Sequence, residues 1–478
     1  MDGLVRRLEG PGLVRGSNVA TPPGSTIQPH GVLSSPRWRR RIALIVFAFG
    51  DFAFNLYWQS VMLFLLFYYT EALGLPMTVA ALGYTLASIW DGIANLAAGI
   101  LADRHHPKRG FAPFLLVGAA PLGLAFVLLY LPLPLTARWT VPAVFGAHLL
   151  FRTAYALVNV PYLAMSGRIS ADSQDRALVA GLRMMFGTLA VIVVALGTVP
   201  IGGWLSGQSG RAQSYFAAAA AFAILGTVIL IFVGKMTVEE SAATPEPPRS
   251  LAAIFASLAG NRAFVTLNLA MMAMIVGVTV LNKSVLYYFK YFLRDETGGQ
   301  LALASMGAIS GVAVPLWILI SRRTGTRSAW FVANGVGVAG LALFALANPK
   351  STIAMQVFLV VMQVMIIGLN FVFWAMLPDT IEYGEKSTGL RVEGAAFGVA
   401  ALLQRVSIGV ATAILGLGFG ASGYVANVEQ SAATLAGMRS TIALVPLLFL
   451  TLSGILMILN PLTKGAHARI LRDLKRGA

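Results

Sequence analysis

Two aspartates lie deep within hydrophobic stretches that are long enough to cross a bilayer. Asp51 falls inside the apolar run 42–70, and Asp91 falls inside the run 77–102. Burying an ionised carboxylate at the middle of a membrane costs at least a few kcal/mol, so such residues usually mark an ion or substrate pathway. These two positions therefore predict a carrier that moves a small molecule or an ion across a membrane.

Further polar residues fall at about the same depth on other apolar runs. At a helical rise of about 1.5 Å per residue, Asp51, Asp91 and Asn159 lie ~14–16 Å from the same side of the membrane. Asn95 follows Asp91 by one turn, and Arg405 lies ~18 Å or more from the start of its run. A midplane cation or substrate site needs several oxygen ligands and a positive partner for a buried carboxylate. The alternative is a buried polar network that only holds the helices together.

The composition excludes several classes of protein. Of the 478 residues, 57% are apolar and 11% are charged, and the mean hydropathy of +0.76 is typical of an integral membrane protein. The net charge of +16 comes from short basic clusters without interleaved aromatic residues, so it does not favour nucleic-acid binding. The sequence has no cysteine, which excludes disulfides, thiolate catalysis and cysteine-based metal sites. It also lacks the HExxH, GxSxG and Walker motifs, and we do not expect an enzyme.

Twelve apolar runs reach the length of about 20 residues that a membrane-spanning helix requires. We predict an all-α integral membrane protein with spans at 42–70, 77–102, 111–132, 141–165, 178–203, 214–234, 263–293, 300–320, 328–347, 351–377, 392–418 and 438–460. A proline-rich loop divides these spans into two six-helix bundles. The predicted regions are a disordered cytoplasmic tail (1–36), the first bundle (37–235), a central cytoplasmic loop (236–262), the second bundle (263–460) and a basic cytoplasmic tail (461–478).

The distribution of Lys and Arg predicts the orientation. Most of these residues lie in the two tails, the central loop and the loops on that same side, so the positive-inside rule places both termini in the cytoplasm. The basic segments ADRHHPKRG and SRRTGTR follow the second helix of each bundle. Two such bundles suggest the major facilitator architecture, with a substrate site at the interface of the halves. We expect a multi-pass, monomeric protein whose surroundings are the lipid bilayer of the plasma membrane.

Several longer motifs occur in a fixed order across the predicted spans. They are GDFAFNLYWQ, SIWDGIANLAAG, DRHHPKRGFAPFLLVG, VNVPYLAM, LYYFKYFL, PDTIEYGEKSTGLRVEG and GYVANVEQSAATLAGM. In these motifs the chain resembles the glycoside-pentoside-hexuronide cation symporters of the major facilitator superfamily. The resemblance covers nearly the whole predicted membrane core. It implies alternating-access transport of a sugar, glycoside or uronide, coupled to a cation, in a bacterial inner membrane.

The resemblance also implies roles for individual residues. Asp51 and Arg183 match an aspartate and an arginine that serve the sugar in this family. Asp91 matches the first of two aspartates on the second helix that bind the coupling Na⁺, Li⁺ or H⁺, whereas Asn95 replaces the second. Arg405 takes the place of a lysine on the eleventh helix that interacts with the carboxylates of the cation site.

These departures from the family pattern bear on the coupling ion. Asn95, and Asn159 where a member of the family has an aspartate, keep an oxygen ligand but remove the negative charge on which the affinity for hard cations depends. Arg405 would add a permanent positive charge beside Asp91. We therefore predict coupling to H⁺, through Asp51 or Asp91, in preference to Na⁺. A Na⁺ site at Asp91 and uncoupled facilitated diffusion are the alternatives, and no cofactor is expected.

Other residues within the spans are predicted to contact the substrate. Lys283 lies ~16 Å from the outer end of its helix, and Arg152 lies within the fourth span. If Lys283, Arg152 and Arg183 face one cavity, that cavity favours an anionic glycoside such as a uronide. The alternative for Lys283 is pairing with an aspartate or extension to the membrane surface. Tyr57 and Trp374 are the aromatic residues placed deep enough to stack on a sugar ring.

Charged residues at the cytoplasmic ends of the spans are predicted to form an inner gate that breaks during alternating access. They are Asp103, Arg104, Arg176, Asp379, Glu382 and Arg391. Ordinary solvated loops are the alternative interpretation.

Other transport functions remain open at this point. A lysophospholipid-type lipid carrier of the same fold would use a long apolar cavity, with Lys283 on the headgroup. An export antiporter has the same architecture, but the motifs give it no support. A sensor that uses the fold without transport would fail to accumulate any ligand in vesicles.

Overall fold

The computed structural model describes residues 37–132, 137–166, 169–170, 173–207, 210–237, 251–347, 349–388 and 393–463. The α-helices are α1 (Arg37–Ser60), α2 (Met77–Arg109), α3 (Ala112–Leu129), α4 (Ala137–Met165), α5 (Ser173–Leu205), α6 (Arg211–Met236), α7 (Leu251–Gly260), α8 (Arg262–Tyr288), α9 (Glu296–Thr324), α10 (Thr326–Ala347), α11 (Thr352–Thr388), α12 (Glu393–Ala421) and α13 (Ala432–Ile458).

Within the described residues, 12 helices are long and apolar enough to cross a membrane, from Arg40–Leu65 to Ala432–Ile458. The predicted number of spans is therefore confirmed. One helix was not predicted, because α7 lies inside the stretch interpreted as the central loop. Its ten residues are apolar but too few to span a bilayer. The predicted tails fall mostly outside the described residues, as does the proline-rich part of the central loop.

Two of the membrane helices continue beyond their α-helical part as π-helical turns. The chain after α1 forms π turns at Val61–Leu65 and Tyr68–Ala72, and the chain after α8 forms one at Phe289–Leu293. Arg294 then ends this helix in a left-handed conformation with φ 54°. Although π turns are rare overall, they occur frequently at functional sites.

Residues Ala43–Ala478 form one compact unit, whereas Arg37–Ile42 at the start of α1 fall in the other unit. Within the larger unit, α2 packs against α12, and α5 packs against α9. These two pairs join the first six membrane helices to the last six. At the α2–α12 crossing, the Thr85 hydroxyl donates a hydrogen bond to the Gly409 carbonyl at 2.9 Å. A Cβ at Gly416 would lie 2.2 Å from the Cβ of Ala81, so glycine permits this close approach.

Candidate functional site

A cavity of about 1280 Å³ lies between α1, α5, α9 and α11. It extends from Asp51 and Gln59 on α1 to Ala180, two turns from the beginning of α5, and to Ala375 on α11. Its walls are mostly apolar, with a few polar side chains. Ligand pockets usually measure about 300–1,000 Å³, so this cavity has room for a glycoside and its hydration water.

Asp51 and Arg183 form an ion pair on the wall of this cavity. The Arg183 Nε lies 2.7 Å from Asp51 Oδ2, and a second nitrogen of the guanidinium donates to Oδ1 at 3.3 Å. The side chains are 14% and 19% exposed, respectively. Paired N–H···O bonds of this kind are strong and directional. The structure therefore brings together the two residues that the family resemblance assigns to the sugar.

A ladder of polar side chains continues along α1 from Asp51. Asn55 donates to the Asp51 backbone carbonyl at 2.9 Å, and Gln59 donates to the Asn55 side chain at 3.3 Å. Both amides line the cavity, as do Asn370 and Trp374 on α11. Sequence reasoning missed Asn55 and Gln59. Their positions four and eight residues after Asp51 were the available signal, because this spacing places all three on one helix face.

Asp91 lies in a different environment, away from this cavity. Its side chain is 0% exposed, and Oδ2 lies 3.1 Å from the Nε of Arg405 and 3.7 Å from a terminal nitrogen of Arg152. Two guanidinium groups therefore face one carboxylate, and the three side chains carry a net positive charge. Because an arginine side chain stays protonated in proteins, this charge is permanent.

The two asparagines predicted to act in coupling do not join this ion pair. Asn95 uses its amide to donate to the Asp91 backbone carbonyl at 2.6 Å, within its own helix. Asn159 is buried on α4, two turns beyond Arg152. Of the four predicted coupling residues, the structure brings the side chains of Asp91 and Arg405 together. Asn95 contacts Asp91 only through the backbone.

Lys283 and Arg152 were predicted to share a cavity with Arg183, but in this conformation neither lines it. The Lys283 Nζ lies 3.6 Å from the centre of the Tyr84 ring. The Arg152 guanidinium lies 4.9 Å from the Trp58 ring, and its Nε donates to His148 at 3.3 Å. The aromatic faces attract both cations. These contacts hold the two side chains away from the substrate cavity.

Tyr57 also lies outside the cavity. It is fully buried, its hydroxyl donates to the Ala223 carbonyl at 3.2 Å, and its ring packs 4.9 Å from that of Phe126. Six residues of helix turn Tyr57 by about 240° from Asp51. Depth in the membrane was predicted, but the direction of the side chain places it against α6 and α3.

The predicted inner gate falls largely outside the described side chains. Asp379 and Glu382 are half-buried towards the end of α11. The side chains of Asp103, Arg104, Arg176 and Arg391 are not among those described. The inner gate therefore stays a prediction.

A polar network that sequence reasoning missed closes the opposite end of the molecule. The buried carboxylate of Glu71 accepts hydrogen bonds from Lys290, Tyr424 and Tyr291, the last at 2.7 Å. Asn427 donates to the Glu71 backbone carbonyl at 2.8 Å and accepts from Lys290 at 2.7 Å. We call these five residues the Glu71 seal. It ties the π turn after α1 to the π turn after α8 and to the segment after α12. Glu71 within the apolar motif LLFYYTEALGL was the signal that could have revealed it.

Comparisons with known proteins establish the class. A family model described as MFS/sugar transport protein matches residues 46–464. This membrane protein is therefore a transporter and belongs to that family. Together with the relatives below, this match confirms the resemblance to glycoside-pentoside-hexuronide symporters in a bacterial inner membrane.

Two curated relatives and one solved structure illustrate the similarity. The chain is 28% identical to the "Glucuronide carrier protein homolog" of Escherichia coli K12, over 91% of this chain and 95% of the relative. It is 25% identical to the "Isoprimeverose transporter" of Lactiplantibacillus pentosus, over 96% and 94%. A bacterial homologue of the human lysosomal transporter Spinster superposes with a TM-score of 0.66 at 12% identity, over 92% of this chain and 99% of that one. This last match supports the fold alone.

Proposed function

We propose that the protein carries a sugar, glycoside or uronide across the membrane in symport with H⁺, by alternating access. The Asp51–Arg183 pair in the cavity is the observation that carries this proposal. Its carboxylate accepts hydrogen bonds from sugar hydroxyls, and its guanidinium donates to sugar oxygens or to a uronide carboxylate. Trp374, which also lines the cavity, offers a ring face for stacking. The names of the two curated relatives, a glucuronide carrier homologue and an isoprimeverose transporter, agree with this substrate class.

The proposed transport cycle follows from the two ends of the cavity. With the amino terminus in the cytoplasm, the cavity extends towards the cytoplasm and the Glu71 seal lies on the outer side. The conformation described here is then inward-facing. Breaking the Glu71 seal and closing the ends of α5 and α11 would expose Asp51 to the outside. Rocking of one half against the other is the motion expected of this architecture.

The surroundings of Asp91 support coupling to H⁺ in preference to Na⁺. Arg405 and Arg152 already supply the positive charge that a bound cation would bring to this carboxylate. A Na⁺ ion there would meet two guanidinium groups and a single carboxylate, whereas hard cations bind best where oxygen ligands and negative charge accumulate. The Asn95 amide is engaged by the backbone of its own helix. We therefore expect transport that does not depend on Na⁺.

A lysophospholipid-type carrier is a second candidate because of the cavity walls. Met184, Met185, Leu189, Val314 and Ile367 give the cavity a predominantly apolar lining. Such walls suit an acyl chain as well as the apolar face of a sugar or its aglycone. The Asp51–Arg183 pair would then hold the headgroup.

The test uses right-side-out membrane vesicles that contain the full chain. External pH and uptake are recorded while a neutral glycoside, a uronide or a lysophospholipid is added, with and without Na⁺. We expect a sugar or a uronide to raise the external pH, and we expect Na⁺ to leave uptake unchanged. Asp51→Asn should weaken the response about 10–100-fold. The matched control is Glu429→Gln, which alters a carboxylate that is 83% exposed and outside the cavity.

Each other outcome of this test would change the proposal. Uptake that Na⁺ stimulates without movement of H⁺ would overturn the proposed coupling. Uptake of lysophospholipid alone would replace the sugar carrier by the second candidate. Full activity of Asp51→Asn would show that the ion pair in the cavity is not the substrate site.

A further inference from the structure

Lys283 is a buried base at the interface between the two groups of six membrane helices. It belongs to α8, and its Nζ rests 3.6 Å above the ring of Tyr84 on α2. Tyr84 also contacts α4, where His148 packs edge-on at 5.2 Å and the Arg152 guanidinium lies 5.6 Å away. A motion that separates α8 from α2 therefore changes the surroundings of Lys283.

The Lys283 Nζ has no hydrogen-bond partner among the described residues, and the side chain is 5% exposed. The titratable and charged side chains that interact with it are Tyr84, His148 and Arg152. This group of described residues includes no carboxylate, and Asp91 contacts Arg152 and Arg405 instead. An ammonium buried without a counter-ion loses its hydration, and the face of the Tyr84 ring compensates only part of that loss. Opening the interface therefore moves this amine from an apolar interior into water.

Lysine and arginine differ in what they can do in such a place. Arginine cannot release its proton in a protein, whereas a buried lysine can do so. Arg152 and Arg405 are consequently fixed charges beside Asp91. Lys283 and His148 are the bases at this interface whose charge can change, and His148 already accepts a hydrogen bond from Arg152.

We propose that Lys283 binds and releases the coupled proton, a role that the sequence had suggested for Asp51 or Asp91. This inference rests on the proposed H⁺ symport. When the outer side opens, water reaches the amine, and the nitrogen lone pair takes a proton from hydronium and leaves water. When the interface closes, an N–H bond of the ammonium breaks, the electron pair stays on nitrogen, and a water molecule accepts the proton.

The first experiment separates proton movement from substrate movement. Full-length wild type, Lys283→Met and Lys283→Arg are placed in vesicles, with Lys350→Met, an exposed lysine, as the matched control. External pH is recorded on substrate addition, and exchange of labelled for unlabelled substrate is measured at equal concentrations. We expect both Lys283 variants to lose the pH change and Lys283→Met to keep the exchange. The control should retain both activities.

The second experiment does not depend on transport. Substrate affinity of the purified chain is measured against pH in detergent. A group that changes protonation on binding alters affinity by up to about tenfold per pH unit. We expect this slope in the wild type and in Lys350→Met, and a flat profile in Lys283→Met. Lys283→Gln serves as a second neutral variant if the methionine variant fails to fold.

The outcomes distinguish this inference from the proposed function. A Lys283→Met protein that moves as many protons per substrate as the wild type would overturn the role of Lys283 and leave H⁺ symport standing. Wild-type uptake without proton movement would overturn the symport itself. Loss of affinity for a uronide, but not for a neutral glycoside, with proton movement retained, would show that Lys283 binds the substrate anion instead.

Discussion

The two aspartates that the sequence places at mid-membrane depth lie in opposite environments. Asp51 lines the open cavity and faces one arginine, so that its pair is electrically balanced and in part exposed. Asp91 is completely buried between two arginines. The first carboxylate is therefore placed to exchange its partner for a substrate, whereas the second is placed to neutralise permanent charge. The two aspartates thus differ in their exposure to the cavity and in the number of arginines that they contact.

This difference explains why the chain can depart from the family pattern around Asp91 and still retain the cavity pair. A coupling cation and a permanent guanidinium are alternative ways to balance a buried carboxylate. Where Arg405 takes that place, the oxygen ligands that Asn95 and Asn159 would offer have no cation to hold. The Asp51–Arg183 pair has no such substitute, because both of its side chains must be able to contact a sugar.

The largest expected effect comes from breaking the Asp91 cluster. Asp91→Asn leaves two buried guanidiniums without a carboxylate, and removal of one partner from a buried ion pair costs about 3–5 kcal/mol. We expect a large fall in the thermal unfolding temperature of the protein in detergent. The double variant Asp91→Asn/Arg405→Gln should recover part of the loss, because it removes one of the two unpaired charges. Equal unfolding temperatures for the wild type and the single variant would contradict the structural role given to Asp91.

The cavity pair should respond in the opposite way. Asp51→Asn removes a charge-assisted hydrogen bond worth about 1.5–3 kcal/mol, which corresponds to about 10–100-fold in kcat/KM for uptake. Thermal unfolding should change little, since the pair is partly exposed to the cavity. Uptake kinetics and unfolding are measured on the same preparations, with Glu429→Gln as control. An Asp51→Asn protein with a lowered unfolding temperature and normal uptake would contradict the distinction between the two aspartates.

The sequence predicted the membrane spans well and direction around each helix poorly. Twelve spans follow from hydropathy, whereas the midplane positions of Asp51, Asp91 and Arg405 stay predictions from the helical rise. Tyr57, Arg152 and Lys283 have suitable depths, but their side chains point into other packing environments. The surroundings of a side chain depend on which helices pack beside its own, and no local sequence pattern predicts those neighbours. The Glu71 seal escaped prediction for the same reason, because its members come from three distant segments.

The Glu71 seal offers a smaller perturbation that tests access to both aspartates. Glu71→Gln removes the charge that holds Lys290, and we expect the outward-open form to gain about tenfold in population, or about 1.4 kcal/mol. The natural sequence has no cysteine, so Met77→Cys, buried against Tyr287, gives a single reporter. Its labelling by a membrane-impermeant maleimide should accelerate in the Glu71→Gln background. Glu429→Gln, in the exposed ion pair with Arg294, is the matched control and should label slowly.

The smallest expected effect is a direct test of what replaced the family's second carboxylate. Asn95→Asp restores the aspartate, yet the half-exposed side chain remains beside the permanent charge of Arg405. Such a partly solvated charge should contribute only a few tenths of a kcal/mol to Na⁺ binding. We therefore expect Na⁺ to change the uptake rate of Asn95→Asp by less than about twofold. The double variant Asn95→Asp/Arg405→Gln removes the competing cation, and Na⁺ should then stimulate uptake more strongly than in either single variant. Strong Na⁺ dependence in Asn95→Asp alone would show that Arg405 does not occupy the place of the cation. Asp91 would then belong, with Asp51, to the residues that exchange partners during transport.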